Sequence, residues 1–179
     1  MSRKIFFLLG FATLVGFSAI GAVIIEKVLD KPFLSIFEQI TPWYFQALSG
    51  IIYGLLTSWV AWQIIKSSLL TPVRGFFAEL IQDLHLTNYE IVFISFCACV
   101  GEEILFRGAI QPLLGIWITA ILFIALHGYI NPFNWRLSIY GIVMCFFIAG
   151  LGYMYEHIGL ISAISAHFII DVVLLKALI

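Results

Sequence analysis

Charge is what this chain has least of. Asp, Glu, Lys and Arg make up 11% of its 179 residues, against about 25% in ordinary soluble domains, so a soluble fold would lack the polar surface to face water. The formal net charge of -1 comes with no basic block, which excludes the electrostatic footprint of a nucleic-acid binder. Cysteine is scarce as well. Cys97, Cys99 and Cys145 all sit inside apolar runs with no CxxC pair, which argues against a disulfide frame and for buried thiols. There is no HExxH helix, internal repeat, linker or low-complexity tract. Hydrophobic residues take the space instead, at 63% of the chain with a mean hydropathy of +1.10.

These residues fall into about six runs of membrane-spanning character: Ile5 to Ile25, Tyr44 to Ile65, Tyr89 to Leu113, Gly115 to Ile130, Leu137 to Glu156, and Gly159 to Leu178. The first follows Arg3 and Lys4 and is too long for the core of a signal peptide, so it is expected to be a retained helix, with Gly21 and Ala22 as the alternative cleavage point. Phe33 to Ile40, bounded by Pro32 and Pro42, is too short to cross and should lie at the interface. Phe76, Phe77, Leu80, Ile81 and Leu84 recur at helical spacing opposite Glu79, Gln82 and Asp83, the pattern of a surface helix. The expectation is an all-α polytopic membrane protein, one transmembrane domain over 1–179. With the N-terminus inside, Arg3, Lys4, Lys66, Arg74, Arg136 and Lys176 fall on the cytoplasmic side and only Lys27 and Lys31 outside. That asymmetry favours cytoplasmic termini, in what is expected to be the plasma membrane. Trp43, Trp59, Trp62, Trp117 and Trp135 lie mostly near run ends and read as interfacial anchors.

Against that background a few ionisable residues are out of place. Glu102, Glu103, Arg107 and Asp171 lie within or beside apolar runs, where a central charge costs roughly 2.5–3.5 kcal/mol on insertion scales. His127 lies in a further run, and His167 in the run of Asp171. At about 1.5 Å per residue, Glu102 is about 12 residues before a turn near Leu114 and His127 about 12 or 13 after it, so both stand roughly 18 Å from one membrane face. His167 and Asp171, 9 and 13 residues past Ile158, stand roughly 13 and 19 Å from that same face. A polar layer near mid-membrane, built from three helices, follows.

Helical geometry separates the neighbours within that layer. Glu103 and Arg107 are i and i+4 with the acid first, the favourable order for an ion pair. Glu102 points about 100° away, keeps no cation, and is free to face the histidines. His167 and Asp171 share a face, and Phe123 should pack beneath the ring of His127. Taken singly, an intramembrane histidine is as readily an interhelical hydrogen-bond donor as a catalyst; two at the depth of a free glutamate point to a site. His157 and His85 read as solvated, and Gly101 and Gly108 as close-packing positions.

In order, the chain reads Glu102-Glu103-Ile104-Leu105-Phe106-Arg107 (EExxxR), Phe123 to His127 (FxxxH) and His167 to Asp171 (HxxxD). These three motifs, each inside an expected helix, resemble the CAAX prenyl endopeptidase and bacteriocin-processing (CPBP, or Abi) family of intramembrane proteases. The resemblance covers about residues 89–175, the expected catalytic core; the first two runs add no motif to it. It implies a glutamate at Glu102 that activates water, with His127 and His167 completing the site, Asp171 at a place often held by asparagine, and Glu103 and Arg107 in support. Aspartate donates to an oxyanion only when protonated, so at Asp171 the family pattern shifts toward orienting water or ligating metal. Zinc held by Glu102, His127, His167 and Asp171 is the alternative chemistry; the metal-free mechanism is the one expected. The implied partners are membrane lipid and a peptide or protein substrate, prenylated or leader-bearing. A non-catalytic immunity or partner-binding protein would keep the same fold. A proton-coupled transporter is disfavoured by the absence of repeats and of paired interrupted helices.

Overall fold

A computed structural model describes residues 3–39 and 41–179, and every regular element among them is helical. Helices α1 (Arg3–Lys27), α2 (Trp43–Ile65), α4 (Asn88–Leu126), α5 (Trp135–His157) and α6 (Leu160–Leu178) are long and apolar enough to cross a bilayer. α3 (Thr71–Gln82) is the expected short surface helix. Phe33–Phe37 forms a short 3-10 turn, while Ile40, the end of that expected interfacial stretch, lies outside the described residues. Large apolar side chains stay uncovered along the spans, including Leu8, Leu56, Ile142 and Phe146 at 60–66% exposure. Only hydrocarbon surroundings make such a surface stable, and the chain is an integral membrane protein.

The 39 residues of α4 do not form one rod. Gly115 takes φ 77 and ψ 170, a conformation open to glycine and strained for other residues, and the chain doubles back there. The rings of Phe106 and Phe123 are 4.9 Å apart, where an unbroken helix would separate them by about 25 Å. One hydrophobic run therefore supplies two of the six expected legs. The second leg is shorter than expected. It stops at Leu126 rather than running to Ile130, because Gly128 adopts φ 75 and closes the helix: its N–H donates to the Ala125 carbonyl, and the Tyr129 N–H to the Ile124 carbonyl. This is the paired Schellman bonding that terminates helices at a left-handed glycine. About 17 Å of helix separates Gly115 from Leu126, so the leg that His127 caps is too short to cross a bilayer.

Small residues decide how the helices meet. Gly50, Gly54, Ser58 and Ala61 form a buried stripe on α2, and a Cβ on Gly54 would lie 2.7 Å from the Ala166 carbonyl of α6. The stripe lets α6 lie close against α2, which sets the position of His167. Gln46 of α2 fixes the start of α6, its Oε1 accepting the Ile161 N–H at 3.1 Å just after the left-handed Gly159 (φ 138). α1 and α4 meet through reciprocal glycines. Gly101 lies against the Thr13 carbonyl and Gly21 against that of Ile104, each glycine facing a stretch where the other helix widens into π-type turns, Thr13–Phe17 and Ile104–Ile110. The pairing of Arg3 with Glu90 and the bond from Gln82 to the Leu178 carbonyl place the start of α1, the end of α3, the start of α4 and the end of α6 on one face.

Candidate active site

Glu102 and Glu103 end the regular α-helical part of the first leg of α4, just before its wide turns. Successive residues on a helix diverge, and these two carboxylates face different surroundings. Glu103 is fully buried. Its Oε2 accepts Arg107 Nε at 2.9 Å and its Oε1 lies 2.8 Å from His167 Nδ1. Arg107, also fully buried, donates from Nη1 to Gln111 Oε1 at 3.3 Å. Gln111 Nε2 in turn donates to the Gly152 carbonyl and to Glu156 Oε1, both at 3.0 Å. A chain of charge-assisted bonds runs from His167 toward the Gly115 end of the bundle.

Part of this was not expected. Glu103 was assigned to Arg107 alone, yet it also holds a histidine 64 positions away. Gln111 was missed, although Glu103, Arg107 and Gln111 repeat at i, i+4 and i+8, which was the available signal. Glu156, to which the sequence assigned no role, is exposed but bonded to Gln111. His157 and His85 are exposed as expected and stand outside the cluster.

The other face of α4 is different. Glu102 is 8% exposed, and its Oε2 lies 3.5 Å from His127 Nε2 and 3.9 Å from His167 Nε2. Neither separation makes a good hydrogen bond, and among the described residues this oxygen has no hydrogen-bond partner. Both rings are anchored from behind. His127 Nδ1 donates to the Phe123 carbonyl at 2.8 Å, and its ring stacks on Phe123 with centroids 4.2 Å apart. A carbonyl only accepts, so Nδ1 carries the proton and Nε2 is the atom turned to Glu102. His167 is fixed in the same sense by Glu103. Asp171 Oδ1 stands 3.6 Å from His167 Nε2. The four residues singled out in the sequence thus converge, carried by both legs of α4 and by α6.

They border a cleft of about 480 Å³ between α1, α4 and α6, lined also by Phe6, Thr13 and Ser95. Thr13 and Phe6 show that α1, which carries no motif, forms one wall. A second cavity of about 270 Å³, lined by Trp62, Phe77, Tyr129, Tyr140 and Met144, adjoins it at Asp171 and Leu175. Zinc holds nitrogen and carboxylate ligands at about 2.0–2.2 Å. Among the described residues no group of three or more His, Cys, Asp or Glu is placed to hold a metal ion as the side chains stand.

Residues 84–173 match the model of a protein family described as type II CAAX prenyl endopeptidase Rce1-like. The chain is also 40% identical over 86 residues to the uncharacterized protein YpbD of Bacillus subtilis (strain 168), an alignment covering 47% of this chain and 43% of that relative. The chain therefore spans less than half the length of that relative. No solved structure matches.

Proposed function

The chain belongs to the type II CAAX prenyl endopeptidase Rce1-like family, and from that membership and the geometry around Glu102 we propose that it is an intramembrane endopeptidase. The observation that carries this reading is the buried, unbonded Oε2 of Glu102, faced by the Nε2 atoms of two histidines whose other nitrogens are already engaged. A carboxylate so placed accepts a proton from water with little competition from other donors. The water oxygen attacks the peptide carbonyl, and Glu102 then hands the proton to the amine as the C–N bond breaks. His167, when it carries both ring protons, gives Nδ1–H to Glu103 and keeps Nε2–H to donate to the tetrahedral oxyanion. His127, whose Nε2 also faces Glu102 Oε2, orients the water, and Asp171 helps to orient it from beside His167. No metal takes part in this scheme.

The proposed substrate is a lipidated peptide of the CAAX type. Two adjoining cavities support this: a peptide fits the cleft whose wall carries Glu102 and the two histidines, and a hydrocarbon chain fits the aromatic-lined cavity beyond Asp171. A plasma-membrane site with both termini cytoplasmic belongs to the same proposal, since the basic residues Arg3, Lys4, Lys66, Arg74 and Lys176 then lie on the side that receives the substrate.

The test is cleavage by purified protein in liposomes, offered internally quenched peptides that are farnesylated, unmodified, or leader-type. The expected result is cleavage of the farnesylated peptide, lost in Glu102→Gln. Equal cleavage with and without the farnesyl group would remove the lipid assignment, and cleavage of none would replace the enzyme by a partner-binding protein of the same fold.

A further inference from the structure

Hydroxyl groups in membrane helices have an easy partner in their own backbone, the carbonyl three or four residues back. Thr13 donates to the Leu9 carbonyl, Ser49 to Gln46, Thr57 to Tyr53, Ser58 to Gly54 and Ser162 to Gly159. Ser95 does not. Its hydroxyl is buried, with the residue 1% exposed, and it has no hydrogen-bond partner among the described residues. Thr119 shares that condition but is not among the residues lining the cleft, whereas Ser95 is. An unpaired buried hydroxyl costs of order 1–3 kcal/mol, and here it borders space that a ligand can fill.

Its position relative to Glu102 specifies the ligand. Ser95, Ala98 and Glu102 stand at i, i+3 and i+7 on one stripe of α4, all three on the cleft wall. Two turns of helix put Ser95 about 10 Å from Glu102, and an extended peptide covers that distance in about three residues. The small side chain of Ala98 leaves the wall open between them. We propose that Ser95 is a substrate-binding residue whose hydroxyl hydrogen-bonds the main chain of the bound peptide about three residues from the scissile bond. The substrate then lies extended along α4, running from Glu102 toward the face that carries Arg3 and Asn88. This rests on the endopeptidase reading, and it adds a direction and a minimum length to the substrate.

The experiment compares wild type, Ser95→Ala and Ser95→Thr on an internally quenched farnesylated peptide with four residues before the cut and the three of a CAAX end after it, and on two versions shortened to two residues on one side or the other. On the long peptide Ser95→Ala should raise KM about three- to ten-fold, as loss of one neutral hydrogen bond does, with kcat and protein level unchanged. Ser95→Thr should restore the KM. One of the shortened peptides should show no difference between wild type and Ser95→Ala, because the group that Ser95 binds is gone. A Ser95→Ala protein with the wild-type KM would overturn the proposal. So would an effect that persists on both shortened peptides, which would place the role of Ser95 inside the protein. Loss of Glu102-dependent cleavage in the wild type itself would instead bring down the parent reading, so the two failures are distinguishable.

Discussion

The two faces of α4 differ by one residue in sequence and by nearly everything in surroundings. Behind the helix, Glu103, Arg107 and Gln111 form a row in which each side chain is bonded to the next, ending on the Gly152 carbonyl and Glu156. In front, the Ser95 hydroxyl and Glu102 Oε2 make no hydrogen bond among the described residues, and the histidine nitrogens stand off at 3.5 and 3.9 Å. A bonded row fixes positions because each group loses a partner if it moves. The unbonded groups are the ones free to engage water and peptide. The difference teaches a division of labour within one helix: the bonded row, in which Arg107 Nη2 alone lacks a partner among the described residues, holds His167 still, and the open face meets the substrate.

The strongest way to break this division is Glu102→Gln, which keeps the volume and removes the base. Turnover should fall by about 10²–10⁴, while the protein inserts and accumulates as before; single-turnover cleavage beside immunoblotting of the same membranes measures both. His127→Ala and His167→Ala should lose about 10² or more. Wild-type turnover in Glu102→Gln would end the water-activation role.

On the bonded face the order of effects should reverse, stability first. Glu103→Gln strands a fully buried guanidinium and frees His167, with an expected loss of about 3–5 kcal/mol, visible as reduced accumulation and a lower unfolding temperature in detergent. Arg107→Gln should be milder, because the carboxyl left behind can take a proton. If Arg107→Gln proves the more damaging, the row owes its stability to something other than the buried cation. Activity per folded molecule should also drop in Glu103→Gln, since the Nδ1 of His167 loses a charged acceptor.

Gln111→Leu sharpens the comparison at the far end of the row. It leaves Arg107 with one bond fewer and the Gly152 carbonyl without its side-chain donor, a loss of about 1–3 kcal/mol, and kcat of the folded protein should stay near wild type. A ten-fold fall in kcat with unchanged stability would show that the row tunes the chemistry and does more than hold it. The smallest effect expected is that of chelation: prolonged EDTA treatment should leave cleavage unchanged, and activity abolished by the chelator and restored by zinc would replace the proposed scheme with a metal-bound one.

Much of the site was legible because its signals are local. The i, i+4 relation of Glu103 to Arg107, the stacking of Phe123 under His127, and the common depth of Glu102 with the histidines all follow from the pitch of a helix and the position of two turns. The reach of Glu103 to His167 was not legible, because it depends on the rotation of α6 about its own axis. That rotation is set by Gly50 and Gly54 of α2, whose part in the site no motif announces. Gln111 sat within the visible spacing and was overlooked for being uncharged.

By itself the sequence determined that the chain enters the membrane, about where each helix begins and ends, and which ionisable residues share a layer. Hydrophobicity and helical period act over a few turns and need no knowledge of neighbours. The tertiary structure alone decided that α1 walls the cleft through Thr13, that Ser95 is left without a partner among the described residues, and that Glu103 belongs to His167 as much as to Arg107. These depend on lateral contacts between helices in a medium that offers no hydrophobic drive to bring them together. There, close packing at glycines and the pairing of buried polar groups choose the arrangement, and both depend on shape across residues far apart in the chain.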